Sequence, residues 1–225
     1  EGFDRDSMAL PEAHNALVKA VCAVNPRVAV VLSGGAPVEL PWIDDIGALL
    51  NAYLGGQAGA DGIADILVGR VNPSGKLAET YPHCNSCTPA KNNFPGNTST
   101  VEYRESLYIG YRYYDKVGKA VQFPFGYGLS YTQFEYSDIA LSDEYMLDDE
   151  TLSVTFKIKN IGEKPGAEIA QVYVADKEST VFRPEKELKG FEKVFLQPGE
   201  EKEVCVTLDK RAFAYYNTAI GDWHV

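Results

Sequence analysis

The sequence predicts an α/β layered domain followed by an antiparallel β-sandwich. Up to about Tyr81, apolar strands, helical patterns and glycine turns alternate, which is typical of an α/β layered fold. From about Tyr136 onward, apolar and polar residues alternate along successive segments that Pro-Gly turns separate. The 225-residue chain is 45% hydrophobic and 24% charged, which is ordinary for a globular protein with room for two such units.

The α/β part begins with a helix and a buried strand. Leu17, Val18, Val21 and Cys22 recur at helical spacing after a Pro-Glu start. The unbroken apolar run at residues 28–32 then predicts a strand that is buried on both faces, as in a parallel sheet covered by helices.

The following segment predicts a short helix, a second apolar stretch and another helix. WIDDIGALLNAYL, residues 42–54, supplies the first two, and GIADILV, residues 62–68, supplies the last. Between them, GGQAGADG resembles a glycine-rich phosphate loop, but it lacks the Lys-Ser/Thr pair of a P-loop and the spacing of a dinucleotide fingerprint. We therefore interpret it as a strand-to-helix turn.

The β part is predicted from its alternation. In LSVTFKIKN, residues 152–160, the apolar residues Leu152, Val154, Phe156 and Ile158 point one way and the polar residues the other. Three comparable segments follow at residues 167–176, 185–196 and 201–209. Segments of this length joined by Pro-Gly turns favour an antiparallel sandwich with a solvated outer face.

An aromatic ribbon lies between the two parts. FPFGYGLSYTQFEY, residues 123–136, is strongly apolar although the chain carries a net charge of −11. We interpret it as a segment that joins the two domains through large rigid contacts, with ligand stacking on its aromatic rings as the alternative.

Charge and cysteine content limit the partners. A net charge of −11 and a pI near 4.8 argue against a nucleic-acid partner, and no apolar run is long enough to span a membrane. Cys22 and Cys205 are expected to be small core residues. HCNSC, residues 83–87, lacks the remaining ligands of a zinc site and the helix start of a redox motif, so we predict no metal and no cofactor. Unpaired thiols favour a reducing compartment.

Ordered motifs along nearly the whole chain resemble the C-terminal half of family 3 glycoside hydrolases of the bacterial β-glucosidase type. They are EGFDR at residues 1–5, GGAPVELPW at 34–42, YLGGQAGADGIADILVGRVNPSGKLAETYP at 53–82, YRESLYIGYRYYD at 103–115, FPFGYGLSYT at 123–132, RPEKELKGFEKV at 183–194 and LQPGE at 196–200. The resemblance implies a parent enzyme with a barrel, an α/β sandwich and a fibronectin type III-like domain.

The domain boundaries follow from this resemblance. Residues 1–82 would be the second part of the α/β sandwich, residues 83–135 a loop with the aromatic joining segment, and residues 136–225 the fibronectin type III-like sandwich. Both termini are interpreted as cut, because the chain opens without an initiator Met and closes inside a strand-like pattern, so the last strand is expected to be missing.

The resemblance also implies the chemistry. Family members are retaining enzymes whose nucleophile is an aspartate of the barrel, which this chain does not contain, and whose general acid/base is a glutamate near the EGFDR segment. Glu1 is therefore the candidate acid/base, with a residue upstream of it as the alternative, while Asp4 and Arg5 are expected to form a structural pair. This chain alone is predicted to be inactive because catalysis needs two carboxyl groups.

The expected partners are a β-glucoside or gluco-oligosaccharide substrate and the enzyme's own barrel domain. A homo-oligomer is allowed, and a bacterial cytoplasmic location is expected.

Two other functions stay open at this point. The chain could be a carbohydrate-binding or interaction module without a catalytic part, since a β-sandwich does not fix function. It could also be a purely structural clamp on the barrel.

Overall fold

The computed structural model describes Arg5, residues 7–96 and residues 99–225. The described residues form two compact units. The first contains the residues up to Val71 together with Ala78–Phe125, and the second contains Asn72–Leu77 together with Gly126–Val225. The aromatic ribbon passes from one unit to the next at Gly126. The predicted boundaries at residues 82 and 135, and the joining role of the ribbon, stay predictions.

The first unit contains a small parallel sheet with helices. Its elements are helix α1 (Glu12–Val24), strand β1 (Ala29–Leu32), a 3-10 turn (Ile43–Asp45), strand β2 (Ala48–Asn51), helix α2 (Gly59–Leu67), a second 3-10 turn (Asn85–Cys87) and helix α3 (Tyr111–Val117). Strands β1 and β2 pair in parallel, with Ala29 opposite Ala48. The predicted first helix, the parallel strand, the strand-to-helix turn and the helix at residues 62–68 are confirmed. The expected burial of β1 on both faces is wrong for this chain, since Ala29 and Val31 are exposed and only Leu32 is buried. The short helix predicted after Trp42 is only a 3-10 turn.

Buried residues of the first unit lie in the loop after β1, at the end of β1, beyond α2 and in α3; they include Leu32, Val38, Leu40, Trp42, Tyr81 and Tyr114. Trp42 is only 1% exposed, and its indole Nε1 donates a hydrogen bond to Asn15 Oδ1 of α1 at 2.8 Å. Tyr81 is also buried, and it forms an isolated antiparallel bridge to Phe123, whose ring meets the Tyr81 ring edge-on. These contacts fix the segments that surround the candidate site.

The second unit is antiparallel throughout its paired strands. Its elements are β3 (Phe134–Leu141), β4 (Leu152–Asn160), β5 (Gly166–Val174), β6 (Glu187–Leu196), β7 (Glu201–Leu208), α4 (Lys210–Phe213), β8 (Tyr215–Asn217) and β9 (Asp222–His224). The strand orders are β3-β4-β7, β5-β6 and β8-β9. The predicted antiparallel β architecture is confirmed.

The core of the second unit follows the predicted alternation. In β4, Val154, Phe156 and Ile158 are buried, and Ile158 packs in a cluster that includes Leu196. Asn160 is the polar exception, since it is fully buried. Its amide donates to the carbonyls of Lys164 and Leu196, and its Oδ1 accepts from the Thr132 hydroxyl at 2.7 Å, so the buried polar atoms have partners.

Several features differ from the sequence-based expectation. Helix α3 and strand β3 were not predicted, because neither segment has a clean apolar period. Cys205 is exposed rather than part of the core, since it lies on the outward face of β7, and Cys22 is half-buried. Cys84 and Cys87 form a disulfide, so the thiols of HCNSC are not unpaired and give no support for a reducing compartment.

No helix within the described ranges has both the length and the apolar character that crossing a bilayer requires.

Candidate functional site

The predicted catalytic residue, Glu1, lies outside the described residues, and so does Asp4. Arg5 is described, and its Nη2 donates a hydrogen bond to the Pro37 carbonyl at 3.0 Å. Arg5, the last residue of EGFDR, is therefore bonded to the loop that follows β1. The acid/base role of Glu1 and the pairing of Asp4 with Arg5 stay predictions.

Polar residues collect at the carboxyl ends of β1 and β2. Ser33 follows β1 directly, and its hydroxyl donates to the Tyr53 carbonyl at 3.0 Å. Asn51 is the last residue of β2, and its amide donates to the Tyr81 hydroxyl at 3.0 Å. In open α/β sheets the ligands bind beyond the carboxyl ends of the strands, so this edge is where a site is expected.

Glu79 adds a carboxyl group to this polar cluster. Its Oε1, the Tyr53 hydroxyl and the Asn51 Oδ1 are buried and close enough to affect one another, although no hydrogen bond of ordinary geometry joins them within the part of the chain that is described. Burial raises the pKa of the Glu79 carboxyl, and the neighbouring Tyr53 offsets part of that effect. Burial and the Glu79 charge together raise the pKa values of Tyr53 and Tyr81. The cluster is thus a poorly solvated polar site.

A cleft of about 570 Å³ opens beside the cluster, entirely within the first unit. Its walls include Arg5, Glu79, Thr80, Tyr111, Arg112 and Phe125. The volume lies inside the range of small-molecule sites, which are mostly apolar with a few placed polar groups. The cleft wall is mostly apolar, and its charged side chains are those of Arg5, Glu79 and Arg112.

Aromatic rings form one wall of the cleft. The Tyr111 and Phe125 ring centroids are 4.8 Å apart with a tilt of 30°, and the Arg112 guanidinium lies 5.9 Å from the Tyr111 centroid. Tyr114 also lines the cleft and is buried, and burial raises the pKa of its hydroxyl to about 12. Helix α3 carries three of these residues, since it begins at Tyr111 after Gly110, whose φ is 54°.

Sequence reasoning missed Glu79, Tyr53 and the α3 wall as site residues. Asn51 and Tyr53 carried the one usable signal, because they follow an apolar strand that is predicted to be parallel. Glu79 lies in LAETYP, which has no periodic pattern that would reveal burial.

Within residues 7–96 and 99–225, together with Arg5, no three His, Cys, Asp or Glu side chains converge as a metal site would require. The expectation that the chain binds neither metal nor cofactor stays a prediction.

An α/β unit with a cleft beside its strand ends, followed by an antiparallel β unit, defines a modular ligand-binding or enzyme region. Residues 1–131 match the glycosyl hydrolase family 3 C-terminal domain, and residues 168–225 match the fibronectin type III-like domain. The chain belongs to the glycosyl hydrolase family 3 C-terminal domain family, which confirms the resemblance found in the sequence.

Curated relatives agree with this assignment. The chain is 59% identical over its full length to thermostable beta-glucosidase B of Acetivibrio thermocellus, of which it covers 30%. It is 44% identical over its full length to exo-alpha-(1->6)-L-arabinopyranosidase of Bifidobacterium longum, again covering 30%. The chain therefore spans less than a third of the length of these relatives.

Solved structures share the fold. The GH3 beta-glucosidase of Bifidobacterium adolescentis superposes with a TM-score of 0.95 at 44% identity, and the match covers 100% of this chain and 33% of that one. The beta-glucosidase of Kluyveromyces marxianus gives a TM-score of 0.93 at 46% identity and is covered to 27%. Both units thus have counterparts in β-glucosidase structures.

Proposed function

We propose that this chain is the C-terminal portion of a retaining β-glucosidase that hydrolyses terminal β-D-glucosyl residues. The observation that carries the proposal is the 59% identity over all 225 residues to a β-glucosidase, within a family match that covers residues 1–131. A further β-glucosidase is 45% identical, whereas the arabinopyranosidase is 44% identical, so a glucoside is proposed on the 59% match.

In this proposal the chain supplies one wall of the sugar pocket and the general acid/base. A retaining hydrolase places two carboxyl groups roughly 5 Å apart, one to attack the anomeric carbon and one to protonate the leaving oxygen. Glu1 is the proposed acid/base, and the nucleophile belongs to a barrel domain on the same parent polypeptide. A homo-oligomeric assembly and a bacterial cytoplasmic location are further parts of the proposal, and both rest on the sequence alone.

Reconstitution tests whether hydrolysis needs both this chain and the barrel domain. The purified chain is mixed or co-expressed with the barrel polypeptide, and release of nitrophenol from a nitrophenyl β-glucoside is measured. We expect no turnover by the chain alone and turnover by the mixture. Hydrolysis by the chain alone would refute the missing-nucleophile argument, and a stable but inactive mixture would favour the non-catalytic module.

A substitution tests the acid/base. Glu1→Gln in the reconstituted enzyme should lower kcat by roughly 10²–10⁴-fold for a substrate with a poor leaving group, and less for a nitrophenyl glycoside, which needs little protonation. Glu12→Gln, on the exposed surface of α1, is the matched control and should leave kcat unchanged. Equal activity of Glu1→Gln and wild type would mean that Glu1 is scaffold or that the acid lies upstream.

A further inference from the structure

The loop that follows Tyr81 contains a disulfide that constrains a single turn. Cys84 and Cys87 are bonded across a sequence separation of 3, and the bond encloses the 3-10 turn Asn85–Cys87. A disulfide stabilises a fold mainly by restricting the unfolded chain, and this effect grows with the length of the loop that it closes. Because this loop is very short, the bond restrains the turn itself far more than it stabilises the unit.

The turn is accessible from solution. Cys84 and Cys87 are both half-buried, and Asn85 and Ser86 between them are exposed, as is His83 before them. Thiol–disulfide exchange requires an attacking thiolate to reach one of the two sulfur atoms. A bond in such a place can therefore exchange with a thiol reagent while the unit stays folded.

The residues that follow the turn belong to the wall of the cleft. Thr88 and Pro89 come directly after Cys87, and both line the cleft. The Thr88 hydroxyl donates to the Asn85 carbonyl at 3.0 Å, and the Thr88 amide donates to the same carbonyl at 3.2 Å. The position of Thr88 in the wall therefore depends on the shape of the turn.

A second contact joins the turn to the loop after β1. The Glu39 carboxylate accepts a hydrogen bond from the Asn85 amide at 2.9 Å, and the Glu39 amide donates to the Met8 carbonyl at 2.9 Å. Met8 lines the cleft, and so does Pro37, which lies two residues before Glu39. A change in the turn thus has two routes to the cleft wall.

The chain on the other side of the disulfide is firmly anchored. Tyr81 is 2% exposed and exchanges backbone hydrogen bonds with Phe123, while His83 Nδ1 lies 3.1 Å from Gln122 Oε1. A single 3-10 turn is weaker, because its hydrogen bonds have poor geometry. Opening the disulfide should therefore release the side that leads to Thr88 and leave Tyr81 in place.

We propose that the Cys84–Cys87 pair is a redox switch that tightens or loosens this part of the cleft wall. In the oxidised state the bond closes the turn and holds Thr88 and Pro89 in the wall. In the reduced state the turn opens and these two residues lose their fixed position. Only the consequence for hydrolysis rests on the proposed function.

The co-reactant of the switch is a dithiol of the thioredoxin class. One thiolate of the dithiol attacks a cysteine sulfur and breaks the Cys84–Cys87 bond, and its second thiol then displaces the mixed disulfide. Two electrons and two protons pass to the protein, which gains two thiols, and the dithiol becomes a cyclic disulfide. A disulfide of the glutathione type reverses the change by the same exchange chemistry.

Amide hydrogen exchange of the folded 225-residue chain, with and without dithiothreitol, tests the switch. Thiols are alkylated under native conditions and counted by mass. We expect reduction to expose the thiols of Cys84 and Cys87 and to accelerate exchange of the Asn85, Thr88 and Glu39 amides by roughly 10-fold, because each donates a hydrogen bond in or beside the turn. Amides of β1 and β4 should change by less than about 2-fold.

Two variants serve as controls. Cys84→Ser/Cys87→Ser should exchange like the reduced chain and should not respond to dithiothreitol. Cys205→Ser removes an exposed free thiol and keeps the disulfide, so it should respond like wild type. Thermal unfolding shows that each variant is folded before it is compared.

The reconstituted enzyme tests the consequence for hydrolysis. Reduction should raise KM for a nitrophenyl β-glucoside by roughly 3-fold or more and change kcat less, because the loosened wall affects binding before it affects chemistry. The double serine variant should show the raised KM without dithiothreitol. Its lack of response to dithiothreitol separates this disulfide from any thiol of the barrel polypeptide.

Several results would overturn the proposal. The switch is wrong if dithiothreitol leaves the disulfide of the folded chain intact, or if reduction leaves exchange of Asn85 and Thr88 unchanged. Equal acceleration in β1 and in the turn would make the bond a general stabiliser instead. Equal KM in both redox states would refute the link to the cleft. An inactive mixture would contradict the proposed function, and the exchange data would still decide on the switch.

Discussion

Replacing Asn72 with alanine is expected to destabilise the second unit, although Asn72 lies far in sequence from most of it. Asn72 belongs to Asn72–Leu77, the segment that packs with Gly126–Val225. Its amide donates to the Pro165 carbonyl at 3.0 Å across 93 positions in sequence. Its Oδ1 accepts from the Ser130 hydroxyl at 3.0 Å and from the Tyr131 amide at 2.8 Å.

The size of the effect follows from these three bonds. Each contributes about 1 kcal/mol net, and the groups left without a partner add to the loss, so we expect about 2–4 kcal/mol in the free energy of unfolding. The side chain is closely packed on the side of Gly166. A Cβ placed on Gly166 would lie 2.6 Å from Asn72 Nδ2, and one on Gly128 would lie 2.3 Å from the Gly75 carbonyl oxygen.

Hydrogen exchange and urea unfolding measure this loss. In Asn72→Ala, amides of β4 and β7 should exchange roughly 30- to 700-fold faster if they open with the whole unit, while those of β1 stay near wild type. Asn92→Ala, at an exposed position, is the control. A change below about 0.5 kcal/mol, or an equal change in the control, would show that the three hydrogen bonds do not hold the segment in place.

Three further predictions concern the core, the cysteines and the buried carboxyl group. Ile158→Ala should cost about 2–5 kcal/mol in urea unfolding because Ile158 is 0% exposed, whereas Ile139→Ala, at 76% exposed, should cost under about 0.5 kcal/mol. Thiol titration of the unfolded chain should report the two free cysteines, Cys22 and Cys205, before reduction and all four after it; four reactive thiols without reductant would contradict the Cys84–Cys87 bond. Burial raises the pKa of Glu79 above its ordinary 4.5, so the folded state binds more protons than the unfolded state just above that pH, and the first unit should lose stability as pH rises through this window. Glu79→Gln should flatten that decrease in stability. If the variant unfolds with the same pH profile as wild type, the raised pKa of Glu79 is not the cause of the decrease.

Strands whose apolar residues recur at a regular spacing could be predicted from the sequence. The alternation of Val154, Phe156 and Ile158 identified β4 and its buried face, because a strand turns every second side chain to the same side. The apolar run before Ser33 identified β1 and its parallel pairing, but the inference that both faces are covered was wrong for this chain, since Ala29 and Val31 are exposed.

Features that depend on distant contacts could not be predicted. Asn72–Leu77 has the composition of an ordinary turn, and its packing depends on Pro165 and Ser130, which no local pattern connects to it. The Cys84–Cys87 pair has a spacing that metal sites, redox sites and disulfides share, so the spacing alone could not choose among them.

Glu79 combines these two lessons, because its position is unremarkable in sequence and unfavourable in the fold. Desolvation makes the ionised form of this carboxyl costly, while its interaction with Tyr53 offsets part of that cost. Glu79→Gln should therefore raise the free energy of unfolding of the first unit near neutral pH, because the amide carries no charge to desolvate. Equal or lower stability of Glu79→Gln near neutral pH, measured by urea unfolding, would show that the interaction with Tyr53 outweighs the cost of burying the charge.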